Sequence, residues 1–310
     1  MKHIKAQILR LTSVFLAPDN DPYKFTLIGE QLYTKEAILV KNSRIHIVRK
    51  KYSTKIPHDD RVLINEDHYL LLLHVDNLAH FFHDIFFPLY VMWRTQPKKI
   101  FASISDNSFT KDFLIAVFGQ ENIYFADPKI PYGFLNITPT PEGRDLKDFP
   151  DYLNICNEIK QRCLSSLGIV ELRNNNYLYG RNELARKNLL NIDPQFLQEH
   201  DIKSVALSKL SFKEVVALLS TAKSLIYMVG AGVFYLLFLD KNVQVLEINP
   251  IRNNSWAQMF GMDQLCRLSV LVSDNVQASE QPAQGDKVLD SHVYFDENIQ
   301  SAIIKLLSHN

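Results

Sequence analysis

Residues Met228–Pro250 read MVGAGVFYLLFLDKNVQVLEINP. An apolar segment runs into Gly230-Ala231-Gly232, and a second apolar run of helical length follows. The branched run VQVLEI then carries a lone Glu247 just before Asn249-Pro250. Strand, glycine turn, helix and strand make a βαβ unit, and strands that are apolar throughout suit a parallel sheet covered on both faces. Whatever binds there should sit at the glycine turn, because ligands of open α/β sheets lie beyond the carboxyl ends of the strands.

The same alternation extends outwards from this stretch. Upstream, NYLYG, SVALS and SLIYMV read as strands. DPQFLQEH begins a helix, with Asp193 as cap and Pro194 in the first turn. SFKEVVALLSTA opens with Ser211 and Glu214 at the spacing of a capping box. Downstream, DENIQSAIIKLLSHN is an amphipathic helix. In the first half, AILVK, RIHIVRK, RVLI and YLLLLHV read as short strands. NLAHFFHDIFFPLYVMWR then reads as a helix over 77–94, capped by Asn77 and kinked or split by Pro88. KIFASI, SFTKDFLIAVFG and NIYFA form another strand–helix–strand unit. The proline-rich residues 126–150 read as a loop or lid, and DYLNICNEIKQRCLSSLG as a helix ending at Gly168.

At 310 residues the chain is long enough for two domains with real cores. Two successive α/β halves predict two Rossmann-like domains facing across a cleft. Acidic and basic residues balance at 34 each, so no net charge steers the chain towards nucleic acid. Cys156, Cys163 and Cys266 suit neither a disulfide framework nor zinc and read as buried thiols in a reducing compartment. The N-terminus shows no secretory pattern, and no apolar run reaches membrane-spanning length. A cytoplasmic protein is the expectation, and docking on a membrane surface stays compatible with it.

Four groups could carry chemistry. Gly230-Ala231-Gly232 lets a ligand approach the backbone, and the helix after it offers free N–H groups to a phosphate. Without a GxGxxG spacing or a P-loop lysine, the turn equally suits a tight connection with no ligand. Glu247 at the end of the next strand could accept two hydrogen bonds from a ribose diol, or be a solvated strand end. Arg181, Arg186 and Lys187, just past NYLYG, could meet a diphosphate or form a solvated basic turn. His80 and Asp84 share one helical face with His83 beside them, an arrangement that suits a general base oriented by a carboxylate. The same trio could bind a metal, or could be histidines satisfied beside an aromatic core.

Four segments, in order, resemble glycosyltransferase family 61: NLAHFFHDIFFPLY, SFTKDFLIAVFGQENIYFAD, YLYGRNELARKNLLN, and the stretch from Ser211 to Pro250. The resemblance covers roughly residues 60–290. It implies a GT-B fold, with an acceptor-side Rossmann-like domain at 1–165 and a nucleotide-sugar-binding one at 166–295. The helix at 296–310 would cross back onto the first domain. It also implies inverting transfer of a sugar from a nucleotide-sugar, UDP-linked in known members, to a glycan acceptor, with no metal cofactor required. His80, Asp84 and His83 would be catalytic. Asn77, Arg181, Arg186, Lys187, Asn191, Gly230, Ala231, Gly232 and Glu247 would bind donor or substrate. The chain departs from the family pattern where Val229 replaces a histidine and Tyr235 an asparagine. Those departures motivate a second reading, a binding or scaffolding protein on a degenerate transferase fold, and the trio His80, His83 and Asp84 motivates a third, a metal-dependent hydrolase.

Overall fold

The computed structural model describes residues 25–28, 31–34, 39–41, 44–45, 61–73, 78, 81–104, 108–127, 129–139, 147, 149–172, 174–179, 188–250, 255–278 and 291–308. The protein is α/β, with sheets that are mostly parallel. The chain forms two compact units, Met1–Asn107 with Phe118–Arg144, and Ser108–Val117 with Asp145–Asn310.

The first unit contains two sheets. Strands β1 (Phe25–Ile28), β2 (Gln31–Thr34), β3 (Leu39–Lys41) and β4 (Arg44–Ile45) pair antiparallel in sequence. They continue through β9 (Tyr132–Phe134) to β5 (Val62–Ile64), in the order β4-β3-β2-β1-β9-β5. The other sheet is parallel throughout, in the order β10-β6-β7-β8. Its strands are β6 (His68–Leu73), β7 (Ile100–Ile104), β8 (Ile123–Phe125) and β10 (Ile137–Pro139). Leu70 and Phe101 of this sheet meet Tyr132 and Phe134 of the other in one core. The proline-rich segment expected as a loop thus supplies two strands. Pro139, which has no N–H to donate, lies on the edge strand β10, where proline is tolerated.

The helix expected over 77–94 is not uniform among its described residues. Phe81–Phe86 forms one π-helical stretch, and α1 (Phe87–Thr95) continues from it with Pro88 in its first turn. A first-turn N–H has no intrahelical acceptor, so the proline costs α1 nothing there. Phe81, Phe82, Phe86, Phe87 and Tyr90 are all buried, with Phe86 edge-on to Phe118.

The second unit is built on a five-stranded parallel sheet. Its strands are β11 (Asn175–Tyr179), β13 (Ile202–Val205), β14 (Ala222–Met228), β15 (Gln244–Asn249) and β16 (Arg267–Val272), in the order β13-β11-β14-β15-β16. Counted along the chain, that order is 2-1-3-4-5. A small sheet beside it joins β12 (Leu189–Leu190), β18 (Ser291–Tyr294) and β17 (Val276–Ala278).

Side chains alternate across the large sheet. Leu178, Ile226, Met228, Leu246 and Ile248 share one face with Phe196, Leu197, Ile299, Ile303 and Leu306. These last five come from the helices Pro194–Glu199 and Glu297–Ser308. The terminal helix therefore packs in the core of the second unit, a correction to its expected place on the first domain. An amphipathic face specifies that it must be covered, not which sheet covers it.

On the other face, Phe212 from the helix Phe212–Leu219 packs edge-on with Phe113 and Phe238. Phe113 belongs to the helix Ser108–Phe118, so that crossover helix contributes to this second core. The helix Tyr152–Leu167 lies here too, and the expected border at 165/166 does not coincide with the unit boundaries. Its Lys160 is buried, donates to Leu239 O at 3.1 Å and pairs with Glu171.

The local signals read from sequence explain the helix ends. Asp193 accepts from Gln195 N at 2.9 Å. Ser211 and Glu214 form both bonds of the capping box. Gly168 ends its helix in the left-handed conformation, at φ 66°.

Candidate functional site

In a parallel sheet of order 2-1-3-4-5, the connections leave in opposite directions from the first and third strands. The crevice between those two carboxyl ends is where ligands bind. Here the switch lies between β11 and β14. The chain leaves β11 at Tyr179 towards residues 180–187, and leaves β14 at Met228 towards the glycine turn. The two segments expected to meet a diphosphate thus start from the two strands that flank the switch point.

Gly230 has φ 153° and ψ −164°, a region that is essentially reserved for glycine. After it, Ala231–Phe238 forms the expected helix, wound as a 3-10 helix, with Val233 N bonded to Gly230 O at 3.0 Å. Gly232 through Phe238 are all buried. Being apolar all round, the segment is a buried helix rather than an amphipathic surface one. A Cβ at Gly232 would lie 2.6 Å from Cε1 of Tyr179, so the glycine lets a tyrosine ring of the same unit approach the turn. The Tyr179 ring is edge-on to Tyr235 at 5.7 Å, and Tyr235 is edge-on to Phe109 at 6.1 Å. Val229 and Tyr235 are both buried.

Glu247 does not end its strand. β15 runs on to Asn249, which places the carboxylate inside the sheet, fully enclosed at 0% exposure. Tyr179, Tyr227, Glu247 and Val270 are successive register partners across β11, β14, β15 and β16. Tyr227 donates its hydroxyl to Glu247 Oε2 at 2.5 Å, and Ala257 N, in the short helix Trp256–Met259, donates to the same oxygen at 3.3 Å. Burial and the neighbouring Glu247 carboxylate push the Tyr227 phenol well above its ordinary value, so it keeps its proton and acts as donor. Burial, then Asp263 and Glu247, push the Cys266 thiol up to about 12. Glu247 Oε1 is buried without a hydrogen-bond partner. In this arrangement the carboxylate serves the interior of the second unit rather than an open edge.

Asn191 follows β12 as an exposed residue in the left-handed conformation, at φ 54°. His83 lies half-buried in the π-helical stretch, and the backbone of Asp84 is in the same stretch. Asn77, His80, Arg181, Arg186 and Lys187 lie outside the described residues, as does the side chain of Asp84. Among the described residues, no group of three or more His, Cys, Asp or Glu is placed to hold a metal ion, and no helix is long and apolar enough to cross a membrane.

Tyr227 and Lys160 went unnoticed in the sequence. Tyr227 had a signal, as the one aromatic residue in the buried run SLIYM. Lys160 had one too, since it follows Ile159 and falls four residues after Cys156 and three before Cys163 on the apolar face of its helix. No family model matches this chain, and no curated protein matches it.

Proposed function

We propose that the chain is an inverting glycosyltransferase that moves a sugar from a UDP-linked donor to a glycan hydroxyl. The observation that carries this reading is the switch point between β11 and β14, from which both the basic segment and the glycine turn emerge. In this reading Arg181 and Arg186 meet the diphosphate with their guanidinium forks, and backbone N–H groups at Gly230–Gly232 complete its cradle. His80, oriented by Asp84 with His83 beside it, takes the proton from the acceptor hydroxyl. The acceptor oxygen bonds to the anomeric carbon as the bond to the diphosphate breaks, and UDP departs with its charge held by fixed positive groups. A GT-B arrangement, a cytoplasmic location and a role in surface polysaccharide synthesis belong to the same proposal.

Thermal melting with UDP, UDP-sugars, GDP and CMP, with and without EDTA, tests it. A ligand at a hundred times its dissociation constant adds about 2.7 kcal/mol. The expected result is a UDP-selective rise in Tm that EDTA leaves intact. No shift with any of these nucleotides refutes the reading.

A binding protein without transfer is the second reading, favoured by the buried Val229 and Tyr235. It predicts that a nucleotide-sugar binds and is recovered unchanged after incubation with acceptor glycans. Release of UDP would reject it.

A further inference from the structure

We propose that the rings of Tyr179 and Tyr235 occupy the switch-point crevice and must leave it for the nucleotide to enter. This regulation rests on the glycosyltransferase reading of the same site. Tyr179 ends β11 and Gly232 follows β14, so their meeting lies at the switch point itself. The ring stands against Gly232 where any other residue would place a Cβ, using the close approach that a glycine turn offers a ligand. Tyr235 supports that ring edge-on and is in turn backed by Phe109, which gives the ring pair a fixed resting position. Both tyrosines are buried, at 8% and 6% exposure, so the resting position leaves little of either ring to solvent.

A site closed by its own side chains binds with an apparent affinity reduced by the fraction of open molecules. A pair that is closed in nine molecules of ten weakens binding about tenfold. Removing either ring should restore that factor, while a ring that belongs only to the core would give no gain.

The test is UDP binding by isothermal titration calorimetry to the full chain and to Tyr179→Ala and Tyr235→Ala, each first shown to melt cooperatively. A gain of about tenfold or more in the variants is expected. Hydroxyl-radical labelling of the wild-type chain provides a second readout that requires no variant to fold. Labelling of Tyr179 and Tyr235 should rise when UDP is saturating. If UDP binds the wild type and the variants equally, or the variants more weakly, and labelling does not rise, the gate is wrong and the nucleotide site stands. If no nucleotide binds the wild type or a folded variant, the transferase reading fails and the gate fails with it.

Discussion

Gly232→Ala tests the packing at the switch point directly. The added methyl carbon would lie 2.6 Å from Tyr179 Cε1, 3.3 Å from Cδ1 and 3.6 Å from Cζ. The first distance is well inside the 3.5–4.0 Å optimum for carbon pairs, so the ring or the turn must shift. Overpacking of this kind costs about 1–3 kcal/mol. The φ of Gly232 is not in the left-handed region, so backbone strain adds nothing. Alanine also gains up to about 1 kcal/mol over glycine as a helix former, which offsets part of the cost. A net loss of about 1–2 kcal/mol is expected by urea denaturation. The decisive measurement is the double-mutant cycle. In a Tyr179→Ala background the obstructing atoms are gone, so Gly232→Ala should become neutral or slightly stabilising. The coupling should then fall within the 0.5–3 kcal/mol typical of residues in contact. If the alanine costs the same with and without the ring, Tyr179 is not what requires glycine at 232.

Other perturbations probe the rest of the second unit. Tyr227→Phe removes the hydroxyl donated to Glu247 and leaves a buried carboxylate with one backbone donor, so urea denaturation should show a loss of about 1–3 kcal/mol. In a Glu247→Leu background the same substitution should cost much less. Lys160→Met strips Leu239 O and Glu171 of their cation. Glu171 is partly exposed, so the loss, read by the same assay, should stay near 1–3 kcal/mol rather than reach the full cost of breaking a buried pair. Glu214 is held below its ordinary carboxylate range by hydrogen bonds from the Ser211 side chain and backbone. A depressed folded value gives stability that is present above the ordinary 4.5 and lost as pH falls through the lower folded value. Ser211→Ala should therefore lower Tm at neutral pH and narrow the gap to wild type in acid. For the proposed activity, Arg181→Ala should weaken UDP binding strongly in calorimetry, and Asp84→Asn should cut turnover far more than donor affinity.

Much of the second unit was legible because its signals are local. Asp193, Ser211 with Glu214, and Gly168 mark helix ends by chemistry within a few residues. SLIYMV and VQVLEI announce buried strands by composition alone. The three-residue strands Tyr132–Phe134 and Ile137–Pro139 are too short to show a period, and their partners lie far away in the chain, at β1, β5 and β6. The terminal helix displays an apolar face that any uncovered sheet could accept.

Glu247 shows why site chemistry is harder to read than fold. Seen alone in VQVLEINP, a carboxylate before Asn-Pro suggests a strand end open to a ligand. What decides its environment is register: β14 and β15 place Tyr227 opposite it, and the crossover after β15 returns Ala257 N to the same oxygen. Neither relation is encoded near residue 247. The same register makes Tyr179 the next member of the row, and Tyr179 is the side chain that touches the glycine turn. One cross-strand row thus joins this carboxylate with the ring that stands against the glycine turn. With Glu247 turned to its own interior, donor binding in the proposed reaction must fall to backbone N–H groups and to Arg181 and Arg186. That is why losing Arg181 should be felt in affinity, whereas losing Tyr227 should be felt first in stability.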